Sequence, residues 1–139
     1  MIVRFSVPGE VRGKGRPRTT TISGHARMYT DARTASYENR VAVFAREALG
    51  SCRPFAAPVS LHLMARFVPP RSASKKMRAA MLAGDVVPGK KPDLSNILKA
   101  CEDGMNGIVY TDDALIVRIV ADKRYAETAG VDVIVKAVE

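Results

Sequence analysis

Apolar residues recur along the chain in blocks that predict its elements one after another. Residues 1–7 (MIVRFSV) alternate well enough for a first strand, which Pro8-Gly9 ends. The next stretch, GEVRGKGRPRTTTISGHARMYT, carries too much glycine and proline for a regular element and reads as a loop. Over 35–49, Tyr37, Val41, Phe44, Ala45 and Leu49 recur at helical spacing, with Asp31 or Thr34 as cap and Gly50 as stop. In 58–68, Val59, Leu61, Leu63, Ala65 and Phe67 alternate with Ser60, His62, Met64 and Arg66, the pattern of a half-buried strand. Pro69-Pro70 ends it, and SASKKMRAAMLAG reads as a short helix capped by Ser72 or Ser74.

A further helix follows Pro92. Leu94, Ile97, Leu98, Cys101 and Met105 fall within an arc of about 100°, a stripe that faces a core. Ser95, Lys99, Glu102, Asp103 and Asn106 fill the opposite arc, and Asn106-Gly107 stops the helix. ALIVRIVADKRYA and VDVIVKAVE are then two strands, with ETAG between them as a hairpin-type turn. The pairs Ile116-Val117 and Ile119-Val120 predict burial on both faces for the first half of the earlier strand. This order of elements predicts an α/β (α+β) fold: one domain over 1–139, a mixed sheet packed against helices.

Composition narrows the function. At 139 residues the chain suits one domain with a real core, and its net charge of +8 favours a polyanionic partner through counterion release from phosphates. No apolar run approaches the ~18 residues of a membrane span, and the amino terminus lacks a signal-peptide pattern, so a cytoplasmic protein with no membrane partner is expected. Cys52 and Cys101 are too few for a zinc site or a disulfide framework. Cys101 is a core residue by its place on the stripe. His62 has no partner motif and reads as a surface group.

The basic groups collect in two places. Arg12, Lys14, Arg16, Arg18 and Arg27 crowd the glycine-rich loop, where they suit contacts along DNA phosphates. A P-loop reading of Gly9 to Lys14 fails, because the spacing is one residue short and no Ser or Thr follows the lysine. Lys75, Lys76 and Arg78 on the short helix, with Lys90 and Lys91 before Pro92, are expected to ring an acidic pocket and steer DNA towards it. That pocket is the product of 90–114, KKPDLSNILKACEDGMNGIVYTDDA. A chain that leaves the helix and turns back beside it can bring Asp113 near Asp93, with Lys99 pointing between them.

The same stretch resembles the RusA-type Holliday-junction resolvases, small phage and prophage endonucleases that cut branched DNA with magnesium. The family pattern is K/R-P-D-x-D-N-L-x-K, then a helical Asp, then N-G and a closing D-D. Here it reads KPDLSN, Lys99, Asp103, Asn106-Gly107 and Asp112-Asp113. A weaker likeness covers PGEVRGKGRPR and the following Tyr-Thr segment.

The resemblance implies a crossover-junction endodeoxyribonuclease of bacterial or phage origin that acts on four-way junctions as a homodimer in recombination and repair. It further implies magnesium as cofactor, with manganese able to substitute. Hydrolysis of a phosphodiester needs an activated water and stabilised phosphoryl charge, which a hard cation held by carboxylates supplies. Asp93 and Asp113 are the expected ligands and, with Lys99, the expected catalytic residues. Asp103, Glu102, Asp112 and, through water, Ser95 are further candidates. Lys99 also stands four residues before Asp103, the spacing of a helical ion pair worth about 0.2–0.5 kcal/mol, and both roles are compatible.

Ser95 departs from the pattern, since the family has a second Asp there. Two outcomes follow: Glu102 or Asp103 supplies the missing carboxylate, or the protein binds junctions and cuts them slowly or not at all.

Overall fold

The computed structural model describes residues 1–15, 18–22, 24–29 and 31–138, without the side chains of 18–20, 22 and 27–29. Arg16, Arg18 and Arg27, expected on DNA phosphates, therefore lie outside the described residues or side chains.

Four strands form one mixed sheet: β1 (Ile2–Pro8), β4 (Val59–Phe67), β5 (Ile116–Tyr125) and β6 (Gly130–Ala137), in the order β1-β6-β4-β5. Two more, β2 (Arg18–Ile22) and β3 (His25–Tyr29), pair as a separate hairpin inside what the glycine content predicts as loop. Its threonines and aromatic residue favour extended backbone, and the local turn at Gly24 (φ 79°) is enough to pair the two halves.

Register explains the core. Val3, Phe5 and Val7 of β1 stand opposite Val135, Val133 and Val131 of β6. Those three in turn stand opposite Leu61, Leu63 and Ala65 of β4. All nine are buried, so three apolar rows cross three strands on one sheet face. Over that face lie α1 (Ala32–Leu49) and α3 (Leu94–Met105), packed on each other; α1 also packs on β1, and α3 on β4 and β5. A third helix, α2 (Lys75–Ala83), rests against β5 and buries none of its residues.

Caps follow the sequence closely. Asp31 accepts the N–H of Thr34 at the start of α1, and Gly50 closes that helix; Ser74, rather than Ser72, caps α2. Of the stripe expected on α3, Ile97, Cys101 and Met105 are buried and Leu94 and Leu98 half-buried, while Ala100 and Gly104 join the buried face. Burial pushes the Cys101 thiol up to about 12, which makes it an inert core group.

Two expectations are overturned. ETAG is not a hairpin turn: β5 and β6 do not pair but flank β4, β5 parallel to it and β6 antiparallel. The chain from β4 to β5 passes through α2 and α3, the long crossover that a parallel pair requires. The β5–β6 connection then passes the end of β4, where Arg66 donates to the Thr128 carbonyl at 2.8 Å and to Asp132 at 3.0 Å. Nor is β5 buried on both faces. It is an edge strand that leaves Val117, Ile119 and Val120 about half exposed.

Candidate active site

The site is assembled where α3 meets α1 and the segment that follows α3. Gly104 makes that meeting close. A Cβ at this position would lie 2.8 Å from the Val41 Cβ and 2.9 Å from the Glu38 carbonyl oxygen, so only hydrogen fits between the helices. Glu38 and Asp103 consequently face a common point, with side chains 21% and 19% exposed.

The return from α3 is tight. Gly107 adopts φ 77°, a left-handed conformation that glycine takes without strain, and its N–H donates to the Tyr110 carbonyl at 2.9 Å. Tyr110 is buried, and its hydroxyl donates to the Glu102 carbonyl at 2.8 Å. Asn106 Oδ1 then accepts the N–H of Asp113 at 3.1 Å, while Asp112 Oδ1 accepts the N–H of Ala114 at 3.0 Å and caps a 3-10 turn over Asp113–Leu115. The motif residues between the helix and the aspartate pair thus orient one side chain, that of Asp113.

Lys99 receives it. Its ammonium lies 3.2 Å from Asp103 Oδ1 and 3.7 Å from Asp113 Oδ2. The hydrogen bond to Asp103 raises the Lys99 pKa above its ordinary 10.5, burial opposes this, and Asp113 adds a further upward push. Glu102 borders the group; burial raises its pKa, Lys99 pulls it down, and Asp113 and Asp103 push it up. Asp112 lies beside Asp113 and caps the turn. Its carboxylate is held below the ordinary value by the Ala114 N–H and then by Asp113, as befits a turn former.

Asp93 stands apart from this group. It is the N-cap of α3, about 9 Å along the helix axis from Lys99, and its ion pair is with Lys91 at 3.9 Å. Its carboxylate makes no capping hydrogen bond, whereas Asp31, Ser74 and Asp112 all cap the turns they precede. A 53% exposed carboxylate that is withheld from its own helix is available to a ligand. Ser95, in the first turn of α3, is exposed.

Among the described residues no group of three or more His, Cys, Asp or Glu stands as a metal cage. A magnesium ion does not require one, because it keeps several waters and is commonly held by one or two carboxylates together with substrate phosphates. Asp93 and Asp113 carry the hard oxygens such a cation takes, but in the structure the two carboxylates share no partner: Asp93 faces Lys91 and Asp113 faces Lys99.

Lys14 is the placement that sequence reasoning missed. Its ammonium is an ion pair with Asp103 and lies 3.2 Å from Glu38, inside the α1–α3 junction rather than on an outer loop surface. Glu38 had no motif to announce it. The signal for Lys14 was the glycine on each side of it, which allows the loop to press against α1 and α3.

The other expected cations divide. Arg12, Lys90 and Lys91 border three adjoining cavities of about 450, 320 and 520 Å³: Glu10 lines all three, Arg12 and Arg33 the first two, and Val11 and Pro92 the last two. Arg33 and Arg40 line the first of these and extend the basic border along α1. Lys123 donates to the Lys90 carbonyl at 2.6 Å and lies over the Phe67 ring, which anchors the Lys90 loop. Lys75, Lys76 and Arg78 sit on α2, whose packing partner is β5 rather than α1.

A family model described as Endodeoxyribonuclease RusA matches residues 8–136. A Bacillus subtilis (strain 168) relative, named as the uncharacterized protein YqaN, is 30% identical over 141 aligned residues, which cover 98% of this chain and 96% of that protein. No helix among the described residues is long and apolar enough to cross a membrane. With the family match covering β4, β5 and nearly all of β6, both site helices and the Lys99–Asp113 arrangement, the chain belongs to the endodeoxyribonuclease RusA family.

Proposed function

We propose that the protein is a magnesium-dependent endodeoxyribonuclease that resolves four-way DNA junctions by paired nicks, working in a bacterial or phage-infected cytoplasm. The observation that carries this reading is Lys99 held between Asp103 at 3.2 Å and Asp113 at 3.7 Å, in a chain whose cavities are lined by Arg12, Arg33, Arg40, Lys90 and Lys91. A module that only bound nucleic acid would gain nothing from carboxylates in that place, since they repel phosphate.

Asp93 and Asp113 are the residues that would hold magnesium, with manganese as a substitute. When bound, the ion supplies a more acidic water and positive charge at the phosphoryl oxygens. The chain does the rest. The basic border neutralises and orients the DNA backbone. Lys99, with its raised pKa, keeps its proton at neutral pH, so it serves as a fixed cation towards the scissile phosphate and not as a base. Asp103 holds that ammonium, and Asn106 and Tyr110 hold the segment that presents Asp113.

A junction is two-fold symmetric, so two matched nicks call for two sites, and a homodimer meets that geometry. The half-exposed Val117, Ile119 and Val120 on edge strand β5, which begins directly after the Asp113–Leu115 turn, offer apolar surface for a second copy.

Ser95 favours a second reading, a junction-binding protein that cuts weakly, because it brings no charge to a site with few carboxylates. Both readings meet one experiment. A synthetic four-way junction is incubated with the protein, with and without magnesium, and nicks are mapped on each strand. Symmetric nicks that need the metal support the nuclease; tight binding with no nicks supports the second reading. A protein that sediments as a 15.0 kDa monomer on and off the junction overturns the dimer.

A further inference from the structure

Lys14 lies in a basic loop, yet the loop is pinned so that this side chain points inward. The Lys14 N–H donates to the Asn96 carbonyl at 2.9 Å, and the Gly15 N–H donates to Thr34 Oγ1 at 2.9 Å. A Cβ at Gly13 would lie 3.0 Å from both the Asn96 and Pro92 Cβ atoms, and one at Gly15 would run into Asp31 and Thr34. Both glycines are therefore needed for the loop to lie flat on α1 and α3, and between them the Lys14 side chain, 25% exposed, enters the helix junction.

There Asp103 is divided between two lysines. Its Oδ2 takes Lys14 and its Oδ1 takes Lys99 at 3.2 Å, while Glu38 lies 3.2 Å from Lys14. We infer that Lys14 is a positioning residue for the cleavage reaction, acting through Asp103 to set Lys99 beside Asp113, and that Asp103 is a holder of lysines and not a metal ligand. This inference rests on the nuclease reading of the same site.

The argument is one of charge and geometry. Two ammonium groups face three carboxylates, Glu38, Asp103 and Asp113. Without Lys14, Lys99 alone faces all three, and the strongest attraction comes from the partly buried Glu38–Asp103 pair, where water screens least. Lys99 is then drawn inward, away from Asp113 and from any phosphate placed there. With Lys14 present, Asp103 Oδ2 is satisfied, and only Oδ1 is left to fix the Lys99 ammonium. A carboxylate that already holds two ammonium groups is a poor ligand for a dication, because their positive charge repels a further cation placed beside them.

The test separates positioning from phosphate contact. Lys14→Met is measured for junction affinity, for the salt dependence of that affinity, and for single-turnover cleavage with protein in excess, in the wild-type and Lys99→Arg backgrounds. The expected result is a fall in cleavage rate on the order of tenfold or more, with affinity and salt slope unchanged. In the Lys99→Arg background the further fall is much smaller, because the two act as one unit. Where Lys14→Met loses cooperative melting, Lys14→Gln replaces it under the same expectation. Weakened affinity, a salt slope reduced by about one charge and an unchanged saturated rate make Lys14 a phosphate contact and overturn the inference alone. Equal losses in both backgrounds do the same. A wild type that binds junctions and never nicks them overturns the nuclease reading, and the inference with it.

Discussion

Asn106 accepts the backbone N–H of Asp113 through its side-chain oxygen at 3.1 Å, which ties the last turn of α3 to the residue that reaches back to Lys99. The seven-residue offset between them is closed by the Gly107 turn and by Tyr110, whose hydroxyl is anchored on α3 itself. The helix thus controls where the Asp113 carboxylate points.

Asn106→Ala removes that tie at an exposed position. Stability should fall by about 1 kcal/mol or less, while cleavage falls by roughly tenfold or more because the carboxylate is no longer held in place. Urea melts and single-turnover nicking measured on the same preparation check both halves. Equal activity in the variant would mean that the hydrogen bond does not position Asp113.

Gly104→Ala sets two effects against each other. Alanine favours an α-helix over glycine by about 1 kcal/mol, but its methyl would lie 2.8 Å from the Val41 Cβ and 2.9 Å from the Glu38 carbonyl oxygen. The second contact is with backbone, which cannot rotate aside, so overpacking wins, at about 1–3 kcal/mol gross. The expected outcome is a lower melting temperature and reduced cleavage, since Glu38 and Asp103 move apart with the helices.

Ser95→Asp places a second carboxylate in the first turn of α3, two residues from Asp93. An acidic side chain there suits the helix dipole by about 0.3–1 kcal/mol, and it adds a hard oxygen donor near the proposed metal ligands. Cleavage at limiting magnesium should rise, with the half-saturating metal concentration falling. An unchanged metal dependence would place the ion away from the start of α3.

Lys14 gives a pH prediction with a definite sign. Its pKa in the folded protein is raised above 10.5, first by the hydrogen bond to Asp103, against burial, and with help from Glu38. A raised pKa stabilises the fold at pH values below the unfolded one and is lost as pH rises through the folded one. The gap in melting temperature between wild type and Lys14→Met should therefore stay constant from about pH 7 to about pH 10 and narrow above about pH 10.5. A gap that closes near neutrality would show that Lys14 is not the ion-paired group.

Much of this protein could be read from local spacing. Helix α3, most of its apolar stripe, its start just after Pro92 and its stop at Asn106-Gly107 all follow from interactions within a few residues, and so do the caps at Asp31 and Ser74. The alternation in β1, β4 and β6 likewise marked the buried face, because side chains on a strand have a period of two whatever the partner. The pattern of 90–114 singled out Lys99 and Asp113, which the structure brings to 3.7 Å from each other.

Pairing was different. Nothing near ETAG says that β4 will come between β5 and β6, since that choice depends on how an apolar central strand finds two partners, one of them beyond two helices. Val117, Ile119 and Val120 looked buried for the same reason: a strand's neighbours, not its own residues, set whether it is central or an edge. Lys14 is the sharpest case. As a letter in a basic loop it belonged with Arg12, and only the close approach of α1 to α3 at Gly104, with Gly13 and Gly15 pressed on those helices, turned it towards Glu38 and Asp103. Charge density is written along the chain, but which charges share a low-dielectric space depends on packing between residues far apart in it.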